Sequence, residues 1–259
     1  MIDTQQIVAR LRTIESLALI PRVASTNAVA RRVVTECIDH ELSLPQAMII
    51  AREQFAGRGR NQRSWSSPAG KGIYATTLLS RPVAELPVIP MAIANIVASF
   101  LREVYAIDAR IKWPNDVLVN GRKIAGILIE ARIQEQRTYL LIGTGINVEP
   151  VKDDDRPNAI AISEVARNFS GIESATVAFI EHMDEQVSRP FERETVLDEW
   201  RRHSIHQTGD RITCNLGERT VSGTWAGIDE HGRALLKSGS ETIAVSAGDL
   251  ILAPEPAEE

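Results

Sequence analysis

Cysteine and histidine are scarce in this chain, which removes the commonest metal chemistries first. Cys37 and Cys214 stand far apart and make neither a metal-ligand spacing nor a disulfide framework, which fits a reducing, cytoplasmic setting. Of five histidines only His203 and His206 fall close together, at i, i+3 on a predicted helix, and without a third ligand they make no zinc site. An excess of basic residues is lacking too. With 29 Lys and Arg against 34 Asp and Glu, the formal charge of −5 argues against nucleic-acid binding. No apolar run approaches the ~20 residues that cross a bilayer, so no membrane partner is expected. The opening Met-Ile-Asp-Thr-Gln-Gln has neither a basic nor an apolar export region. Aromatics make up only 5%, but a hydrophobic fraction of 44% over 259 residues supports a packed core, as one large domain or two unequal ones.

Periodicity gives the coarse organisation. Ser25-Thr26-Asn27 is a cluster of helix N-cap residues, and Val29, Val33, Val34, Cys37 and Ile38 then recur at helical spacing, predicting a helix to about His40. Ala47–Ala51 and Gly72–Leu79 read as strands, and Pro87–Tyr105 as a long helix. Asn120-Gly121 between Val117–Val119 and Lys123–Ile129 is the strongest short hairpin signal. Tyr139–Ile142 is a further strand, ending in Gly143-Thr-Gly-Ile-Asn147. This predicts a mixed α+β sheet with helices on one face. Lys152–Asn158 is polar and turn-rich, and helical patterns resume at Ile162–Phe169, Ala175–Val187 and Glu194–His203. From Gly209 the chain changes to short strands, Arg211–Cys214, Thr220–Ile228, Ala234–Lys237 and Thr242–Val245, predicting a small all-β barrel. The expected division is 1–207, 208–253 and a disordered tail at 254–259.

The most informative segment is Gln54-Phe-Ala-Gly-Arg-Gly-Arg-Asn-Gln-Arg-Ser-Trp65. Gly57 and Gly59 let backbone N–H groups approach a ligand. Arg58, Arg60 and Arg63 offer forked cationic donors suited to phosphate and carboxylate, and Trp65 adds a flat apolar face. These describe a pocket for a phosphate-bearing anion with an aromatic group, although a solvated basic loop has the same composition.

Four segments then occur in a fixed order: Ser25-Thr26-Asn27, the Gly57–Trp65 loop, Lys112-Trp113-Pro114-Asn115-Asp116, and Gly143-x-Gly-x-Asn147, with Gly121-Arg-Lys-Ile-Ala-Gly-Ile-Leu-Ile-Glu130 between the last two. In this the chain resembles the biotin–protein ligases from about residue 20 to 252. The resemblance implies a class II synthetase-like, seven-stranded mixed sheet with helices, followed by an SH3-like barrel. It also implies two half-reactions. Biotin and ATP with Mg²⁺ give biotinyl-5′-AMP and pyrophosphate, and a lysine of a biotin carboxyl carrier domain then takes the biotinyl group. Lipoate–protein ligases share the fold and the adenylate chemistry and are the nearest alternative, followed by a biotin-responsive regulator. Only about 24 residues precede Ser25, where the bifunctional repressors carry a DNA-binding domain, so no specific DNA partner is expected. Exposed strand edges offer a surface for a homodimer or the carrier. Gln62 stands where the family loop usually has a third glycine, so Gln62 or Asn61 is expected to take a left-handed conformation.

The resemblance also implies roles. Biotin would be held by Ser25, Thr26, Gln54, Gly57, Arg58, Arg60, Lys123, Gly126 and Gly143. The nucleotide would be held by Arg58, Arg60, Arg63, Trp65, Lys123, Gly145 and Asn147. Catalysis would fall to Lys123, Asp116, Lys112 and Arg60, with Lys123 bridging the biotin carboxylate and the α-phosphate and Asp116 receiving the carrier amine. No protein motif holds a metal, so Mg²⁺ would travel on the ATP phosphates. Each residue also has an ordinary reading: Ser25-Thr26 as a plain helix cap, Lys123 as a solvated residue after a hairpin, Asp116 as a turn residue, Trp65 as a core tryptophan, and Gly143–Asn147 as a tight turn.

Overall fold

A computed structural model describes residues 3–134, 137–151, 158–216 and 219–252. The polar loop after Lys152 and the C-terminal tail therefore lie largely outside the described residues. In order, the elements are α1 (Thr4–Val8), β1 (Ser16–Ile20), α2 (Thr26–Asp39), β2 (Ala47–Ala51), β3 (Gly72–Pro82), α3 (Ile89–Tyr105), β4 (Arg110–Lys112), β5 (Asp116–Val119), β6 (Arg122–Gln134) and β7 (Arg137–Asn147). There follow α4 (Ile162–Val165), α5 (Ile172–Val187), α6 (Arg193–His203), β8 (Arg211–Asn215), β9 (Thr220–Ile228), β10 (Ala234–Ser238), β11 (Glu241–Val245) and β12 (Asp249–Leu252).

The first sheet has seven strands in the order β1-β2-β3-β7-β6-β5-β4. Only β1 and β2 run parallel; every other pair is antiparallel. β2 is buried throughout, and its alternation divides it between two cores. Met48 and Ile50 face a large cluster with α3, α5 and α6, while Ala47 and Ile49 face a smaller one with Ala30 and Val34 of α2. Helices thus cover both faces of the sheet. The expectation of one face fails because α2 is amphipathic in its own right, burying Thr26, Ala30 and Val34 at i, i+4, i+8. α3 begins with Pro90 in its first turn and stops at Ala106, which is left-handed (φ 54°). The β5–β6 hairpin turns on Asn120 (φ 51°) and Gly121 (φ 73°), the paired positive φ of a two-residue turn.

Three further expectations need correcting. The strand expected over Tyr139–Ile142 runs on through Gly143–Asn147 as the second half of β7, paired with β3 to Asn147 and with β6 to Ile146. The helix expected over Ile162–Phe169 stops at Val165. Val83–Tyr105, a short 3-10 segment followed by α3, is long and apolar enough to cross a bilayer. It is interrupted by Glu85 and Arg102, so a search for unbroken apolar runs passes over it. Here it is the core helix.

The C-terminal strands form an antiparallel sheet in the order β11-β10-β9-β8-β12. It is consistent with an SH3-like domain, but no pairing among the described residues closes it into a barrel. Its core is continuous with that of the first sheet: Trp225 of β9 lies 6.4 Å from Trp200 of α6 and stacks at 4.5 Å on His206. His206 lies beyond the end of α6, so His203 and His206 do not share a helix face.

Candidate active site

The amino terminus of α2 opens the site. Ser25 has the extended backbone of an N-cap, yet its hydroxyl makes no capping bond. The helix is capped from outside: Gln54 Oε1 accepts from the Thr26 N–H at 2.8 Å and lies 3.1 Å from Thr26 Oγ1. Gln54 Nε2 in turn donates to Ser67 Oγ at 2.9 Å. Thr76 Oγ1 stands 2.8 Å from Thr26 Oγ1 and 2.6 Å from Asn27 Oδ1, and Asn27 Nδ2 donates to Glu130 at 3.0 Å. Because buried polar groups are costly to leave unpaired, this network holds its members in one arrangement. The buried Ser25 hydroxyl is left to face the cavity.

The Gly57–Trp65 loop is tied to itself. The Trp65 N–H donates to the Gly57 carbonyl at 2.9 Å, and the Gly59 N–H to that of Arg63 at 2.7 Å. A Cβ on Gly57 would strike the Trp65 carbonyl and Ser67, so this glycine serves the close packing of the loop. Asn61 (φ 53°) and Gln62 (φ 59°) are both left-handed; the missing glycine is met by two successive residues in that conformation. Arg60 Nη1 lies 3.2 Å from both Asn115 Oδ1 and the Gly248 carbonyl of the C-terminal sheet.

Lys112 and Asp116 face each other in register across β4 and β5. Asn115 between them donates to the Ile127 carbonyl at 2.7 Å. Lys123 Nζ is 2.6 Å from Asp116 Oδ1 and 5.2 Å from the centre of the Trp65 ring. With these side chains 34% and 26% exposed, such a pair contributes only about 0–1 kcal/mol to stability, so its interest is positional. The glycines of the sheet make room for side chains. Gly126 and Gly145 stand opposite each other under the Trp65 ring, and the space above Gly143 is filled by the Asn27 amide. Asn147 Nδ2 donates to the Lys123 and Ile160 carbonyls at 3.2 Å each, anchoring β7 to its neighbours.

One cavity of about 140 Å³ joins these parts. Ser25, Thr26 and Gln54 line it with neutral polar groups, and Arg58, Arg60, Arg63 and Lys123 bring cations. Among the described residues Asp116 is its only carboxylate, already paired with Lys123. Such a lining accepts anions beside a polar, uncharged group.

Residues 19–147 match the model of the biotin/lipoate A/B protein ligase family, and residues 208–252 that of the biotin protein ligase C-terminal domain. The chain is 31% identical over 237 residues to the bifunctional ligase/repressor BirA of Bacillus spizizenii, covering 84% of this chain and 71% of that protein. The chain belongs to the biotin/lipoate A/B protein ligase family. It is also 27% identical over 245 residues to a biotin–[acetyl-CoA-carboxylase] ligase of Mycobacterium tuberculosis, covering 91% of this chain and 88% of that one. A biotin protein ligase from Aquifex aeolicus, solved in complex with biotin and ATP, shares the fold with a TM-score of 0.73 at 23% identity, over 93% of this chain and 99% of that one.

For a ligase of this family, the structure gathers most of the residues singled out by sequence. Ser25, Thr26, Gln54, Arg58, Arg60, Arg63, Trp65, Asp116, Lys123, Gly126, Gly143 and Gly145 all line the cavity. Gly57, Lys112 and Asn147 do not. Sequence reasoning passed over Asn27, Thr76 and Asn115, which organise the walls. Asn27 and Asn115 lay inside segments already singled out, and their amides, able to donate and accept at once, were the available signal. Thr76 sits beside Thr77 in a buried strand, and nothing in the sequence sets it apart.

Proposed function

We propose that this chain is an ATP-dependent ligase that activates biotin as biotinyl-5′-AMP and transfers it to a lysine of a biotin carboxyl carrier domain. The observation that carries this reading is the single cavity in which neutral donors and acceptors at the α2 terminus meet four cations. A ureido ring asks for the first, and two anions brought into contact ask for the second. In the first step a biotin carboxylate oxygen attacks the α-phosphorus, the bond to the bridging oxygen breaks and pyrophosphate leaves. Lys123 and the three arginines offset the charge of the approaching groups, work that is mostly positioning and electrostatics. Lys123 exchanges its bond with Asp116 for one with the anion. The freed carboxylate can then receive the proton of the carrier amine as it attacks the acyl carbonyl and AMP departs. Among the described residues the donor set at the cavity is mainly cationic and forms no metal-ligand cluster, so Mg²⁺ belongs to this scheme as part of the ATP substrate.

A cavity of about 140 Å³ is smaller than the roughly 300–1,000 Å³ of ligand pockets, and Trp65 and its loop are the wall that would lift to admit both substrates. The match of residues 208–252 to a biotin protein ligase C-terminal domain supports biotin over lipoate. The negative net charge counts against a DNA partner, the two scattered cysteines suit the cytoplasm we assign it, and β1 at the sheet edge is the surface on which we place the carrier or a second copy. The experiment is incubation with MgATP, a carrier domain and either biotin or lipoate. A biotinyl mass shift on the carrier is expected; a lipoyl shift, or none, refutes the reading.

A further inference from the structure

The segment that bears Lys112 and Asp116 turns between β4 and β5 at Trp113, Pro114 and Asn115, and what fixes this turn lies far away in sequence. The Trp113 N–H donates to His206 Nε2 at 3.1 Å, across 93 residues. The Trp113 indole Nε1 donates to the Gly232 carbonyl at 3.0 Å. His206 is 7% exposed and lies against Trp225, with ring centres 4.5 Å apart at 26°. Its own strand-like lead-in is pinned to β4, because Ile205 N–H donates to the Ile111 carbonyl at 2.9 Å. A ring nitrogen that accepts must be unprotonated, which places the proton of a neutral imidazole on Nδ1. That nitrogen is buried without a partner. An orphaned donor is a cost, so the ring is kept here for what Nε2 does.

We propose that His206 is a positioning residue for the transfer step, its neutral imidazole setting the Lys112–Asp116 turn through the Trp113 N–H. This rests on the reading above, in which Lys112 and Asp116 serve the carrier amine. Lys123 meets the turn segment through the 2.6 Å contact of its Nζ with Asp116 Oδ1, but its backbone polar groups are held elsewhere. Its own N–H donates to the Asn158 carbonyl at 2.6 Å, and its carbonyl accepts from Ile160 at 3.0 Å. Removing the acceptor at 206 therefore separates the two half-reactions. Biotin-dependent ATP–pyrophosphate exchange follows Lys123, while transfer from preformed biotinyl-AMP follows the turn.

The test compares the full-length parent with His206→Leu, which keeps the bulk but has no acceptor, and His206→Gln, whose Oε1 can take the place of Nε2. Leu should leave exchange near the parent rate and slow transfer on the order of tenfold to a hundredfold, the scale of a misplaced reacting group. Gln should restore transfer. The proposal is overturned if Leu and Gln transfer equally well, or if Leu slows both half-reactions in the same proportion. Should Leu fail to fold, His206→Asn replaces it, since its shorter amide cannot reach the Trp113 N–H; Asn and Gln transferring alike then overturns the proposal. A parent without biotin-dependent exchange removes the functional reading and this inference together, and is distinguished because it is seen before any variant is compared.

Discussion

Gly145 stands on β7 opposite Gly126 on β6 and Tyr74 on β3, under the Trp65 ring. A Cβ there would lie 2.5 Å from Trp65 Nε1 and Cε2 and 2.8 Å from Cζ2. Restoring ordinary contact requires the ring to retreat by about 1 Å, a displacement that in a reacting site costs on the order of 10²-fold in rate. The ring can give way, because its buried Nε1 has no hydrogen-bond partner to lose. Overpacking of this kind costs about 1–3 kcal/mol, and at about 2–4 °C per kcal/mol for a chain of this size Gly145→Ala should lower Tm by about 2–12 °C. It should lower biotin-dependent pyrophosphate exchange about 10²-fold. The clash predicts a partner-specific coupling. In a Trp65→Ala background the same substitution should cost less than about 0.5 kcal/mol, because the ring atoms nearest the added Cβ are gone. Calorimetric melting of the four proteins of this cycle is the assay. If Gly145→Ala destabilises equally with and without the indole, the seating of Trp65 on the bare backbone is not why glycine occupies this position.

Lys123→Met should reduce pyrophosphate exchange by about 10²–10³, the typical effect of losing one transition-state charge donor, with little change in melting; near-normal exchange returns Lys123 to an ordinary surface role. Arg60→Gly removes the contacts to Asn115 and to the Gly248 carbonyl and loosens the loop, so biotinyl-AMP should escape and label added albumin. Adenylate formation without extra label on albumin, measured by blotting for biotin, refutes that role. His206 is held neutral, its pKa pushed down to about 4 by burial and then by Lys112, with Asp210 acting in the opposite sense. The unfolded chain takes up this proton near pH 6.5 and the folded chain only near 4. Its contribution to stability is therefore present above about pH 6.5 and lost as the pH falls towards 4, at up to about 1.4 kcal/mol per pH unit. Urea unfolding of His206→Gln should show a shallower slope in that window, and an unchanged slope refutes the assignment.

Local chemistry was enough wherever one segment satisfies itself. Asn120-Gly121 accepts positive φ at both positions and so makes its hairpin. Thr220–Ile228 carries the β-rich composition of the strand it forms, and the helical spacing after Ser25 runs to Asp39. Residues from each of the ordered motifs line the cavity, although Lys112 and Asn147 of those motifs do not. Where two distant segments had to meet, the sequence was silent or misleading. Gly143-x-Gly145 has the composition of a turn, but β3 and β6 on either side satisfy its backbone in a strand, and the bare faces are filled by Asn27 and Trp65. Ser25 has the composition of a cap, but Gln54 caps the helix and leaves the serine for the cavity. Asn147 was singled out for the nucleotide, and the structure has its Nδ2 donating to the Lys123 and Ile160 carbonyls. A cap, a turn or a hairpin is decided by bonds that span a few residues, and residue type reports those. Whether a donor is left over for a ligand depends on every acceptor that packing brings within reach, and only the tertiary structure determines which those are.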